Sequence, residues 1–117
     1  MKAIIELSRK GSIIGAAAEQ VAAARRGHAP DYRLSFESAR SLFAALTPAR
    51  LDLLNTLRRE GPCSVYALAK AAERNYSNVH TDVSRLEELG LIEREEDGTV
   101  SVPFESVEIR FPLAQLA

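Results

Sequence analysis

The sequence predicts an α+β chain in which three short helices precede a two-stranded hairpin, with a strand-helix-strand segment ahead of them. Three observations predict it. Leucine and valine recur at helical spacing in separate runs between Thr47 and Leu89. The runs open on residues suited to capping a helix and end at Gly61-Pro62, at a short turn or at Gly90. Behind the last run, two short apolar stretches flank Glu95-Glu96-Asp97-Gly98, where Asp-Gly is a strong hairpin signal.

Taken in order, Lys2–Leu7 is apolar, isoleucine-rich and reads as a strand. Ser12–Arg26 is alanine-rich, with Ser12 as cap and Gly27 as stop, and reads as a helix. Gly27–Asp31 is a connector. Tyr32–Phe36 alternates apolar and polar residues as a half-buried strand does, and Ser38–Leu46 places Leu42, Phe43 and Leu46 on one helical side. Thr47 caps the next helix and Pro48 fills its first position, where a missing N–H costs nothing. Leu51, Leu53, Leu54 and Leu57 are its core side, and Gly61-Pro62 ends it. Ser64 caps a second helix with Val65, Leu68 and Ala69 inward. Ala71–Tyr76 is a turn. Ser77 is expected to cap the third helix, whose apolar positions are Val79, Val83, Leu86 and Leu89, with Gly90 as a left-handed stop. Leu91–Arg94 and Thr99–Val102 form the hairpin. Val107–Phe111 alternates again before Pro112.

The chain has 117 residues, enough for one domain with a short appendage. We expect an extension over 1–46 that meets a partner or a second copy, and a helix-and-hairpin domain over 47–117. No apolar run approaches the roughly 20 residues that span a bilayer, and the early charge at Lys2 does not suit a secretory leader, so a cytoplasmic protein with no membrane contact is expected. Cys63 is the only cysteine, which rules out an internal disulfide and a cysteine-based zinc site.

The net charge of −1 conceals an asymmetry. Met1–Leu86 carries 13 basic and 8 acidic residues, whereas Glu87–Ala117 carries 2 and 8. The basic body suits a phosphate surface and the acidic end does not. Catalysis finds little support: there is no glycine-rich phosphate loop, no His-Glu-x-x-His and no paired histidines. No enzyme activity, cofactor or metal is expected.

Three helices and a hairpin in this order are the plan of a winged helix-turn-helix, with the second and third helices as the reading unit and the hairpin as the wing. The stretches Leu46-Thr-Pro-Ala-Arg-Leu-Asp-Leu-Leu, Gly61-Pro-Cys-Ser-Val-Tyr-Ala-Leu-Ala-Lys, Tyr76-Ser-Asn-Val-His-Thr-Asp-Val and Leu86-Glu-Glu-Leu-Gly-Leu-Ile resemble the MarR/ArsR-like winged-helix regulators. The resemblance is greatest to a small prokaryotic group of DNA-binding proteins ending in a strand like Glu108-Ile-Arg-Phe-Pro. It implies a transcriptional regulator, a repressor of its own operon included. Some members resemble antitoxins paired with a small TumE-type toxin, which implies a second reading: a module that neutralises a cognate toxin through Met1–Leu46.

The third helix can be read from its residues alone. At about 100° per residue Val79, Val83 and Leu86 share one face. Ser77, Thr81, Ser84 and Arg85 lie opposite, flanked by Asn78 and His80. Asn pairs with adenine, Arg with guanine, and the methyl of Thr81 suits a thymine methyl. Tyr76, Ser77 and the helix N-terminus suit a phosphate, as do Lys70, Arg74 and Arg94 and, beside them, Arg58 and Arg59. Each of these cations is equally suited to a solvated surface, and any solvent face of a helix is polar. Asp82 opposes DNA unless it turns aside, and pairing with Arg85 or Lys70 is expected. His80 has no clustered partner, which argues against a metal ligand and leaves a base contact or a surface place. The wing is acidic except for Arg94, so its tip is expected to stand off the duplex or to belong to a protein contact. Cys63 reads as structural, with redox sensing as the alternative. A homodimer on double-stranded DNA is expected, joined through the N-terminal strand and helix or through the strand around Ile109 and Phe111.

Overall fold

The computed structural model describes residues 1–7 and 30–114. The helix expected over Ser12–Arg26, and most of the connector after it, lie outside the described residues. Within them the order is β1 (Lys2–Leu7), β2 (Tyr32–Phe36), α1 (Ala39–Ala45), α2 (Pro48–Glu60), α3 (Val65–Ala72), α4 (Tyr76–Glu88), β3 (Glu93–Arg94), β4 (Val100–Ser101) and β5 (Ser106–Arg110). The chain divides into two units. Met1–Ala44 with Phe104–Ala117 forms one, and Ala45–Pro103 the other. The terminal strand expected to follow the hairpin within 47–117 thus joins the first unit.

The first unit holds a parallel three-stranded sheet in the order β2-β1-β5. Ile5 of β1 stands beside Leu34 on one side and Ile109 on the other. Ala3, Ile4 and Ile5 are consecutive and all buried, as a central strand covered on both faces requires. Polar groups pin the margins. The Lys2 amide donates to Asp31 Oδ1 at 2.9 Å, and Arg33 reaches Glu6 at 3.0 Å. The Tyr32 ring stacks on Phe104 with centroids 5.5 Å apart, and its partial burial pushes the phenol pKa up. Ser38 opens α1, its Oγ accepting from the Ser41 amide at 3.1 Å.

The second unit is a winged helix-turn-helix, built as its caps dictate. Thr47 Oγ1 accepts from the Arg50 amide at 3.2 Å and Pro48 begins α2. Ser64 Oγ accepts from the Ala67 amide at 3.0 Å and opens α3. Leu53, Leu54 and Leu57 of α2, Leu68 of α3, and Val79, Val83 and Leu86 of α4 are buried and form the apolar side of each helix. The third cap differs from expectation. Asn75, not Ser77, closes the N-terminus of α4, its Oδ1 accepting from the Asn78 amide at 3.3 Å. Asn75 stands three residues before Asn78, the distance at which a cap side chain reaches the third amide. Ser77 therefore lies inside the first turn.

The turn between α3 and α4 is made by Glu73 in the left-handed region, at φ 54° and ψ 45°. The amides of Glu73 and Arg74 return to the Lys70 and Ala69 carbonyls at 3.1 and 3.0 Å, which satisfies the end of α3. At the end of α4, Gly90 takes φ 79° and the Leu91 amide returns to the Leu86 carbonyl at 2.9 Å. In the wing, Arg94 pairs with Val100, and Gly98 at φ 89° closes the turn with its amide on Glu95 O at 3.0 Å. Asp97 Oδ1 accepts from the Thr99 amide and hydroxyl. The backbone of Cys63 bridges antiparallel to Val100, with N–H···O distances of 3.1 and 2.8 Å, and so extends the hairpin sheet toward the start of α3.

Candidate nucleic-acid interface

Helix α4 presents two unlike faces. Val79, Val83 and Leu86 are fully buried, while Tyr76, Ser77, Asn78, His80, Thr81 and Arg85 are exposed and Ser84 is half-buried. The split follows from spacing, since residues three and four apart share a side of the helix. The Thr81 hydroxyl donates to the Ser77 carbonyl at 3.1 Å, which leaves its methyl and a hydroxyl lone pair for other contacts.

The exposed face continues across the turn onto α3. Tyr66, absent from the sequence-derived candidates, is 63% exposed. Its ring lies 6.5 Å from that of Tyr76, which in turn lies 5.9 Å from His80. The Lys70 ammonium sits 5.6 Å from the Tyr66 centroid, within cation–π range. Tyr66, Tyr76 and His80 thus form a row of rings at the N-terminal end of α4, with Lys70 at its head. Tyr66 and Tyr76 lie ten positions apart on separate helices, so no periodicity within one helix marks them as neighbours.

The other expected cations are engaged. Arg74 donates to Asp82 Oδ2 at 2.7 Å, and Arg50 Nε donates to Asp82 Oδ1 at 3.0 Å. Asp82 therefore turns aside, as expected, but toward Arg50 and Arg74 rather than Arg85 or Lys70. The correction has a plain cause: Arg50 lies on α2 and Arg74 in the turn, on the protein-facing flank of α4, whereas Arg85 and Lys70 point outward. Burial pushes the Asp82 carboxyl pKa up. The hydrogen bonds and charges of Arg74 and Arg50 outweigh that and hold it below the usual carboxylate range. Arg85 pairs with Glu88 at 3.2 Å. Arg94 Nε meets both Glu87 oxygens at 3.2 and 3.3 Å, and its Nη1 donates to the Gly98 carbonyl. Arg58 donates to the Val102 carbonyl at 3.1 Å, and Arg59 lies 3.9 Å from Glu60.

The wing tip, Glu95-Glu96-Asp97-Gly98, is exposed and acidic. Burial, with Glu60 nearby, pushes the Cys63 thiol pKa up, the opposite of what an activated thiolate needs. Among the described residues no three His, Cys, Asp or Glu side chains gather as a metal site, and no helix is long and apolar enough to cross a membrane.

The family model described as HVO_A0114 matches residues 45–109, more than half of the chain. No curated protein matches. Among solved structures, the chain is similar to a homodimeric winged helix-turn-helix DNA-binding domain from Mycobacterium bovis, called a possible ArsR-family transcriptional regulator. The two are 21% identical over 84% of this chain and 77% of that one, with a TM-score of 0.48.

Proposed function

This chain belongs to the HVO_A0114 family, and from the geometry of its second unit we propose that it is a sequence-specific DNA-binding protein that regulates transcription, with α4 as its reading helix. The observation that carries the reading is the division of α4. Its valines and Leu86 are sealed inside while Ser77, Asn78 and Thr81 in its N-terminal half and Arg85 in its last turn stand in solvent on the opposite side.

In this reading the exposed face of α4, from its N-terminal turn to Arg85, lies along the major groove. Asn78 faces an adenine edge, Arg85 a guanine, and Thr81 a thymine methyl. Arg85 must exchange Glu88 for the base, which costs little because that pair is exposed. Tyr76, Ser77 and Lys70 meet phosphate, with Tyr66 beside them. Arg74 acts differently from the sequence expectation: together with Arg50 it positions α4 through Asp82. Arg94 is neutralised by Glu87, and the acidic tip repels phosphate, so the wing stands off the duplex. Two copies on a two-fold axis would place their reading helices about 34 Å apart, one turn of DNA. Occupying such a site near a promoter represses transcription by exclusion.

Fluorescence anisotropy against the DNA upstream of the chain's own gene, and against a randomised duplex library, tests this. Expected is a preferred sequence whose affinity falls with salt and is lost in Asn78→Ala and Arg85→Ala. Equal binding to all duplexes, or none at low salt, overturns it.

A further inference from the structure

Strand β5 lies at an edge of its sheet, paired to β1 on one side only. Its outer side carries no backbone hydrogen bond among the described residues. Natural edges are usually blunted by lysine, proline or a bulge. Ser106–Arg110 has no lysine, proline or bulge, its two charges, Glu108 and Arg110, are of opposite sign, and Pro112 comes after the strand has ended. Ile109 is 37% exposed, and Phe111 just beyond is 46% exposed. Such an edge invites another strand.

The order of residues names that strand. Val107-Glu108-Ile109-Arg110-Phe111 reads apolar, acid, apolar, base, apolar, a pattern that complements itself when reversed. A two-fold axis perpendicular to the sheet sets residues of like face opposite each other, so an antiparallel self-pairing must centre on a residue. Centred on Glu108 or Arg110 it sets like charges face to face, which destabilises. Centred on Ile109 it sets Glu108 opposite Arg110 of the other copy twice over, Ile109 opposite Ile109, and Val107 opposite Phe111. Arg110 has no ion pair among the described residues. Glu108 is held from its own chain by Lys2 at 2.9 Å and keeps acceptor capacity for a second cation.

We infer that β5 is the seam of a symmetric dimer, in which two copies pair antiparallel about Ile109 and join two three-stranded sheets into one of six strands. This gives a surface to the second copy invoked above, yet it does not rest on DNA binding, and its test contains no DNA.

Sedimentation equilibrium of the full chain is expected to show a dimer. Arg110→Glu places a carboxylate against Glu108 of the other copy at both ends of the seam. It is expected to weaken association roughly tenfold or more while circular dichroism stays unchanged. Cysteine cross-linking then fixes the register in a Cys63→Ser background. Opposed residues lie roughly 5 Å apart, so Ile109→Cys is expected to form a covalent dimer with diamide. Val107→Cys and Phe111→Cys, each separated from its own copy by roughly 13 Å, are expected to cross-link only when mixed. A monomer at every concentration, or a dimer that tolerates Arg110→Glu and does not cross-link through Ile109→Cys, overturns the inference. A dimer that cross-links yet binds no DNA leaves it standing and removes only the regulatory reading.

Discussion

Arg74 and Asp82 meet at 2.7 Å across the turn that leads into α4, and Arg50 of α2 holds the other oxygen of the same carboxylate at 3.0 Å. One acidic residue thereby ties α4 to the helix behind it and to the turn before it. The Asp82 side chain is only 13% exposed, and Arg74 Nη1 is buried with no hydrogen-bond partner. The clamp is therefore a device of position, held by charge in a place that water reaches poorly.

Replacing Asp82 with Asn leaves two arginines facing a neutral amide. Charge-assisted hydrogen bonds contribute about 1.5–3 kcal/mol each, so a net loss of roughly 2 kcal/mol is expected in urea unfolding at pH 7. Because the folded carboxyl titrates below its unfolded counterpart, its contribution is complete above the ordinary aspartate pKa of about 3.9. It disappears as the pH falls through the lower folded value. The wild type and Asp82→Asn should therefore converge in stability only once the pH has fallen below that folded value. Curves that stay parallel through acid would show that Asp82 does not supply the difference.

Asn78→Ala and Arg85→Ala remove exposed groups from α4 and should leave unfolding within about 0.5 kcal/mol of wild type. Each should cost about 1–3 kcal/mol of affinity for the preferred duplex, and much less for unrelated DNA. Lys70→Ala should instead weaken both alike and flatten the salt dependence by about one counterion. Titrations of each variant against both duplexes at several salt concentrations separate base readout from phosphate attraction.

Reversing the charge of the wing tests its distance from the duplex. In Glu95→Lys with Glu96→Lys the repulsion becomes attraction. Affinity for any duplex should rise, with a salt slope steeper by about 0.9 for each phosphate gained. An unchanged slope would place the tip beyond reach of the backbone altogether.

Two backbone positions should respond in opposite directions. Glu73 holds φ 54°, a region costly for any residue with a Cβ, so Glu73→Gly should stabilise the chain by up to about 1 kcal/mol despite glycine's added freedom when unfolded. Gly98 holds φ 89° in open space, so Gly98→Ala meets no clash and should lose about 1 kcal/mol through the backbone alone. Thermal unfolding of the pair measures both.

The helices and wing were legible because their signals are local. Thr47-Pro48, Ser64 and Asp97-Gly98 act within four residues of themselves, and the buried faces of α2 to α4 follow from spacing. Asn75 was hidden because Ser77 offered an equally good capping side chain two residues later. The partners of Asp82 were hidden because Arg50 lies 32 positions away and no local rule joins them. The row of rings was missed for the same reason. The sheet was legible only as three unpaired strands, since the apolar run within Lys2–Leu7 says nothing of which strands lie beside it. The two adjacent isoleucines were the one hint that both of its faces are covered.

That β1 is flanked by β2 on one side and β5 on the other has a consequence for the order of assembly. The ribosome delivers Lys2–Leu7 before all of Ala45–Pro103 and Ser106–Arg110 after it, so the middle strand stands without one of its neighbours while the second unit is being made. Ala45–Pro103 draws on contacts close in sequence and can collapse early, whereas the sheet closes slowly and late. A premature stop anywhere before Ser106 would strip one flank from β1 and leave Ile4 and Ile5 to chaperones or proteases.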